Sequence, residues 1–354
     1  MDKTVSVIVP MFNAQATIRE CIESLLRLDP LPYEIIIVDN GSTDDSVAIV
    51  EKVVKEKEMS LVAILSEKER GPAAARNCGA KAAKGGILAF TDSDCTVPQD
   101  WVKIVIDEFS DPNSPDMVAG GTIAMEKRSA LNKFTYALRV KSERSDNKIR
   151  YFDKNYFFYG PIFATMNLSV KKESYDRLSG FDGTFINAED ADFCTRALNN
   201  NMIVKFRPDL VVYHRERDTV TGLFKQFYFY EYWAARFFKA HYKGLWVVRI
   251  PRIKAFVINA GFSAVFIGKA SVLVALILPV LYGFFVGKAL VSASIILLYL
   301  LLTCIHANKL ITSTGLKLDG LFDLFRVVFY IVVKQAAEVL GKCVGSVKYS
   351  IIYI

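Results

Sequence analysis

Short runs of buried-type apolar residues alternate along the first ninety residues with stretches of helical period. Val5-Ser6-Val7-Ile8-Val9-Pro10 predicts a strand ended by Pro10, and Ile18, Cys21, Ile22, Leu25 and Leu26 predict a helix within 14–28. Glu34 to Val38 predicts a second strand, closed by Asp39-Asn40-Gly41-Ser42, and Val47, Ile49, Val50, Val53 and Val54 resume the helical spacing. Leu61–Leu65 and Ile87–Phe90 predict two further strands around an alanine-rich helix, Ala73–Lys84, stopped by Gly85-Gly86. Such alternation argues for a parallel sheet covered by helices on both faces. Ligands of such sheets bind beyond the carboxyl ends of the strands, where Pro10, Asp39 and Asp92 sit together on one rim.

From Asp111 to about Lys172 the pattern is less regular. It holds Gly120-Gly121, a charged segment from Lys127 to Arg150 and the aromatic cluster Tyr151, Phe152, Tyr156, Phe157, Phe158 and Tyr159. Mixed strands and a mobile acceptor-side loop are expected there. A helix is expected over Glu189–Asn199, then a strand at Ile203–Phe206 and another run, Val211-Val212-Tyr213-His214.

Beyond about residue 255 apolar residues dominate. Runs at 270–287 and 289–307 are of spanning length, and 255–267, shorter and carrying Asn259 and Gly261, is expected as a third span, the lower part of the first or an interfacial segment. Leu321–Val333, with Asp323, Arg326 and Lys334 along it, predicts an amphipathic helix over about 321–340 in the plane of a membrane interface. Basic residues flank the runs on both sides, which predicts an even number of spans with both ends cytoplasmic. The expected organisation is thus a catalytic domain over 1–235 and a membrane-associated region over 236–354, the catalytic domain on the cytoplasmic face.

Charge and cysteines remove alternatives. The chain has 354 residues and a formal charge of +7, from 44 Lys and Arg against 37 Asp and Glu. No basic-aromatic pattern accompanies that excess, so a nucleic-acid module is not indicated. The six cysteines form no Cys-x-x-Cys pair, so neither a zinc site nor a disulfide framework is indicated. The start of the chain shows no basic segment followed by an apolar one, so no cleavable signal is expected.

The chemistry concentrates at strand ends. Thr91-Asp92-Ser93-Asp94 follows the apolar run Ile87–Phe90, and two carboxylates one residue apart suit a hard divalent cation that neutralises substrate phosphates. A plain acidic turn is the competing reading of that string alone. Read in order, Val9-Pro10-Met11-Phe12-Asn13, Val38-Asp39-Asn40-Gly41-Ser42-Thr43-Asp44, Ala75-Arg76-Asn77, Asp92-Ser93-Asp94, Gly180-Phe181-Asp182 and Ala188-Glu189-Asp190 form a set. Residues 4 to about 215 resemble the inverting family 2 glycosyltransferases through this set.

The resemblance implies an α/β GT-A fold, followed here by the helical transmembrane hairpin and amphipathic helix. It also implies a nucleotide-sugar donor, with a UDP-sugar favoured, and Mn2+ or Mg2+. It places Pro10, Phe12 and Asn13 at the nucleobase, with Asp39 accepting from the base. Arg76, Arg215 and Arg217 are implied on the substrate, Asp92 at the ribose or the metal, and Asp94 and His214 on the metal. Asp190 is implied as the general base, with Glu189 its orienting neighbour. Arg215 and Arg217 suit anionic lipid equally, and His214 suits plain packing at a strand end.

Two departures matter. Asn40 stands where many relatives have a second Asp. The Gln-x-x-Arg-Trp motif of processive synthases is missing, because Phe227-Tyr228-Phe229-Tyr230 follows Gln226. The expected function is transfer of one sugar to a lipid-linked or glycan acceptor. The alternatives are a polyprenyl-phosphate sugar synthase, whose acceptor is the lipid phosphate, and an inactive nucleotide-sugar-binding membrane protein. A dinucleotide enzyme is excluded, since Gly-x-Gly-x-x-Gly does not follow the first strand.

Overall fold

The computed structural model describes residues 3–58, 60–125, 129–143, 148–154, 163–242, 245–249, 256–259, 264–267, 289–314 and 321–353. The chain divides into two compact units, one of Met1–Met125 with Glu143–Arg215, the other of Glu126–Ser142 with Glu216–Ile354.

The first unit opens with β1 (Val5–Met11), α1 (Ile18–Leu25), β2 (Glu34–Asp39), α2 (Ser46–Glu56), β3 (Val62–Ser66), α3 (Pro72–Ala82) and β4 (Ile87–Phe90). β3, β2, β1 and β4 lie side by side and parallel, as their near-continuous apolar runs require. Helix α1 buries Ile18, Cys21, Ile22 and Leu25, the stripe its spacing marks. The alanines of α3 have a steric cause. A Cβ on Gly79 would stand 2.6 Å from Ile8 Cγ2 and 3.1 Å from Val38 Cγ2, so this helix lies almost directly on β1 and β2.

Beyond β4 the parallel order ends, and the mixed strands expected from Asp111 to about Lys172 are found. The unit continues through β5 (Cys95–Thr96), α4 (Trp101–Ser110), β6 (Met117–Ala124), β7 (Arg150–Phe152), β8 (Leu168–Lys171), α6 (Lys172–Arg177), α7 (Glu189–Asn199) and β9 (Val204–His214). β8 runs antiparallel to both β4 and β6, β9 is parallel to β6, and β5 and β7 each pair antiparallel with β9. The sheet is therefore mixed, in the order β3-β2-β1-β4-β8-β6-β9-β5.

Two further corrections concern prolines. Pro10 does not end the first strand, which runs on to Met11. Ile8 accepts from Thr91 on the β4 side while Met11 accepts from Asn40 on the β2 side. Pro10, two residues after Ile8, turns toward β4 just past the last β1–β4 pair, so its missing N–H costs no ladder bond. Likewise the two runs expected around Pro208 are one strand, β9, whose register against β6 slips between Gly120 and Gly121.

Asn167 fills that slip, donating from Nδ2 to Gly121 O and Leu210 O (2.8 Å each) and accepting from Trp101 Nε1 at 3.0 Å. A Cβ on Gly120 would overlap the Leu210 carbonyl and the Asn167 amide, both fixed. Gly120→Ala is expected to cost about 3 kcal/mol or more. Urea unfolding of the pair would check this, and an unchanged midpoint would show that the slip is soft.

The second unit contains α5 (Ala130–Glu143), a helix where the charged segment suggested irregular chain, and α8 (Val220–His241). It also contains α9 (Ala289–Thr314) and α10 (Leu321–Tyr349). Leu131, Phe134 and Ala137 of α5 share one core with Leu223 of α8, Ala307 and Leu310 of α9, and Val327 and Ile331 of α10. Gly341 and Gly345 lie at the α8–α10 crossing. A Cβ on Gly345 would reach Tyr232 O at 2.7 Å, and one on Gly341 would overlap Tyr228 O, so the backbones touch. Tyr349 packs on Tyr232 with ring centroids 5.5 Å apart.

The apolar segment expected at 255–267 forms strands. β11 (Phe256–Asn259) and β12 (Ala264–Ile267) join β10 (Leu245–Arg249) and β13 (Ile352–Tyr353) in a four-stranded sheet ordered β11-β10-β12-β13. Their β-branched and aromatic content suits strands, and each run is far shorter than a span. Among the described residues no helix is long and apolar enough to cross a membrane, so the expected hairpin is not found there. Its first arm, 270–287, lies outside the described residues, as do Tyr156 to Tyr159. Its second arm falls in α9, which seats Ala307 and Leu310 on protein. The helix expected at about 321–340 is present and extends to Tyr349.

Candidate active site

Three strand-end loops of the first unit are tied into one rim. Asn13, in the left-handed region at φ 48°, accepts at Oδ1 from Thr43 N (2.8 Å) and donates from its own N to Ser42 Oγ (3.0 Å). Asp39 ends β2 buried, its Oδ1 accepting from Ser42 N at 3.1 Å. Pro10 lies within β1, and Phe12 just beyond it is 48% exposed, with the Arg70 guanidinium 5.3 Å from its ring centre.

Asn40 shows why an amide serves at its position. Its Nδ2 donates to Glu67 O (3.1 Å) and Glu69 O (2.7 Å), while its Oδ1 accepts from Gly71 N at 2.8 Å. A carboxylate could make only the last of these bonds. Asn40→Asp is expected to lose about 2–3 kcal/mol of stability by turning a charge against two carbonyls. A thermal melt that matched the parent would refute this brace.

The Asp-x-Asp loop after β4 is divided in its partners. Asp94 Oδ2 lies 3.5 Å from Nε2 of His214, and Asp94 O accepts from Arg215 N at 3.1 Å. The β5–β9 pairing sets this geometry by placing Cys95 opposite His214. Asp92 instead accepts at Oδ1 from Arg76 Nη2 at 2.7 Å. Among the described residues no group of three or more His, Cys, Asp or Glu is arranged to hold a metal ion. Of the expected metal set, Asp94 and His214 are thus neighbours, and Asp92 is engaged elsewhere.

The acid pair opens α7. Ala188, the residue before it, is left-handed at φ 67°, which costs a non-glycine residue about 1 kcal/mol. Glu189 is buried and accepts at Oε1 from Arg76 Nη1 at 2.7 Å. Burial pushes the Glu189 carboxyl up, and Arg76 works against that rise. Asp190 accepts at Oδ1 from Ala191 N at 2.7 Å. Burial first, and the charge of Glu189 second, push its pKa up to about 7. A carboxyl poised there can take a proton at neutral pH and release it again.

The wall behind the pair is aromatic and pinned. Asn77 Nδ2 donates to Phe181 O (2.8 Å), and its Oδ1 accepts from Phe181 N (2.9 Å) and Tyr175 Oη (2.5 Å). Phe181 then packs edge-on to Phe90, ring centroids 5.4 Å apart. Arg215 donates to Ala16 O (3.0 Å) and Glu20 Oε2 (2.9 Å). Arg217 is exposed in the second unit, its carbonyl accepting from Asn132 Nδ2 at 3.0 Å.

Sequence reasoning missed the brace at Asn40, the pins of Asn77, the Arg70–Phe12 contact and the pairing of Arg76 with two acids. One signal was available. An arginine among alanines in a buried helix requires buried acids nearby.

Comparison with known proteins agrees with this geometry. Residues 6–173 match the Glycosyl transferase family 2 model. Glycosyltransferase AglE of Haloferax volcanii is 27% identical over 226 residues, 63% of this chain and 70% of that protein. The uncharacterized glycosyltransferase EpsJ of Bacillus subtilis is 29% identical over 225 residues, 62% of this chain, and the match spans 63% of EpsJ, under two thirds of its length. The mannosyltransferase PcManGT from Pyrobaculum calidifontis, solved with GDP-Man and Mn2+, superposes with a TM-score of 0.54 at 20% identity, covering 96% of this chain and 89% of that one. S. aureus TarS 1–349 with UDP-GlcNAc gives 0.51 at 21% identity, covering 67% and 66%. These two likenesses bear on the fold, an α/β GT-A-like architecture with a mixed sheet. Residues 6–173 are thus similar to glycosyltransferase family 2 domains, and the chain is a glycosyltransferase.

Proposed function

We propose that this protein moves one sugar from a nucleotide-sugar donor to a lipid-linked or glycan acceptor by an inverting single displacement. The observation that carries the reading is Asp190, a carboxyl pushed up to about 7 and set one residue from Glu189, the acid that shares Arg76 with the Asp-x-Asp loop. Asp190 takes the proton of the acceptor hydroxyl as that oxygen attacks C1. The bond from C1 to the diphosphate oxygen breaks, and the nucleoside diphosphate leaves. Asp39, Pro10, Phe12 and Asn13 line the base end, and Arg215 supplies positive charge for diphosphate or anionic lipid.

A divalent cation fits the residues present. Asp94 and His214, a carboxylate oxygen and an imidazole nitrogen 3.5 Å apart, are the residues that would hold Mn2+ or Mg2+. When bound, the metal would neutralise charge on the leaving diphosphate. UDP-GlcNAc and GDP-Man in the neighbouring structures support a nucleotide-sugar donor of either base.

Membrane attachment is supported by exposed apolar positions of the second unit, and the basic residues that flank the apolar runs favour the cytoplasmic face for the catalytic unit. The exposed positions include Leu301 and Ile305 on α9 and Phe322, Phe325 and Phe329 on α10.

Screening a panel of nucleotide sugars with Mn2+ or Mg2+, with and without membrane lipid extract, tests the function. One donor should release nucleoside diphosphate, faster with metal and faster again with extract. A panel with neither turnover nor binding would refute the proposal.

A further inference from the structure

The resemblance puts Arg76 on the substrate, but its surroundings leave it no route there. The side chain is 3% exposed. Nη1 donates to Glu189 Oε1 and Nη2 to Asp92 Oδ1, each at 2.7 Å, and the guanidinium carbon lies 5.8 Å from the Phe181 ring centre. Burial works against its charge, and Asp92 and Glu189 more than offset that. Nε is buried too, with no hydrogen-bond partner among the described residues, and burial of all three nitrogens keeps the guanidinium from an open groove.

We propose that Arg76 is a positioning residue that joins the Asp-x-Asp loop to the acid pair, acting through Asp92 and Glu189 and not by contact with the donor. Its base is rigid, because α3 rests on β1 and β2 at Gly79. From that helix Arg76 reaches forward to the loop after β4 and to the first turn of α7. The next residue, Asn77, grips the Phe181 backbone on the approach to the same helix. One turn of α3 therefore fixes both the donor-side carboxylate and the entry of α7, and with them the separation between the donor carbon and Asp190. The planar fork matters, since it holds two nitrogens at a fixed spacing with one N–H for each carboxylate, where a lysine ammonium has a single nitrogen. This inference rests on Asp190 being the base.

The test uses Arg76→Lys, Arg76→Gln, Glu189→Gln and the double Arg76→Gln/Glu189→Gln, assayed with the donor found in the screen. UDP and GDP, each with Mn2+, are titrated as binding probes. Arg76→Lys and Arg76→Gln should each lower kcat by about 100-fold, the effect of a misplaced reacting group, while donor KM and nucleotide Kd stay within about threefold. The double variant should lose no more than the Arg76 single, because both changes break one link. It neutralises the buried Glu189 and leaves only the part-exposed Asp92 without the arginine, so it serves where Arg76→Gln alone fails to fold. A donor KM raised about 30-fold with kcat kept would make Arg76 a donor contact and overturn the proposal. Unchanged kinetics, or losses that multiply in the double variant, would overturn it as well. Near-normal turnover by Asp190→Asn, run in parallel, would instead sink the base assignment, which separates the two failures.

Discussion

Asp190→Asn is expected to lower sugar transfer by about 1,000-fold or more, with nucleotide binding within about threefold of the parent. The amide keeps the shape of the side chain and its bond from Ala191 N, but it cannot accept the acceptor's proton. Kinetics with the parent should show the matching pH signature. The base works only when ionised, so kcat/KM should fall about tenfold per pH unit below about 7 and level off above it. In the variant that limb should vanish.

Stability should move the other way. A carboxyl whose pKa rises from 3.8 to about 7 on folding binds protons more tightly in the native state. Its contribution is intact at low pH and lost as pH rises through that window. Above about pH 7 the parent carries a poorly solvated charge that the amide does not. Discounted for partial solvation, Asp190→Asn should therefore gain on the order of 1–2 kcal/mol there and nothing near pH 4. A variant that is inactive and equally stable at all pH values would mean that Asp190 is solvated. A variant that keeps its turnover would favour a lipid-phosphate acceptor, which needs no strong base.

Asp94→Asn comes second in expected size, with transfer down about 100-fold at low Mn2+. The β5–β9 pairing holds the backbone of Asp94 in place, so the substitution removes charge and little else. Excess Mn2+ should restore part of the rate by mass action, and the half-saturating concentration should rise correspondingly. His214→Ala should shift the same curve, because the imidazole is the neighbouring donor. A rate independent of Mn2+ in parent and variant alike would refute the proposed metal role.

Legibility followed the range of the interactions. β1 to β4 could be read because parallel buried strands are continuous apolar runs bounded by turn residues. Their loops follow from the same topology, which put Asp39, Asp92 and Asp94 on one rim. The antiparallel half was hidden. Nothing local in Leu168–Lys171 says that β8 inserts between β4 and β6, and the slip at Gly120 depends on Asn167 and Leu210, far along the chain. Arg76 and Asn77 stood in the motif, but their partners Asp92, Glu189 and Phe181 are joined only by tertiary folding. Phe256–Asn259 and Ala264–Ile267 misled because short apolar runs suit strand and span alike, and pairing with β10 decides for strand.

The Gly341 and Gly345 crossing also sets a clock. Helix α8 ends at His241 and its partner α10 ends at Tyr349, so 108 residues separate the two ends. At roughly 5–20 residues per second, a ribosome takes about 5–20 s to make that stretch. Throughout that interval the Tyr228–Tyr232 side of α8 lacks the glycines that let a second backbone close over it. The nascent chain is thus open to chaperone capture, and to misassembly, while the stretch between His241 and Tyr349 is being made.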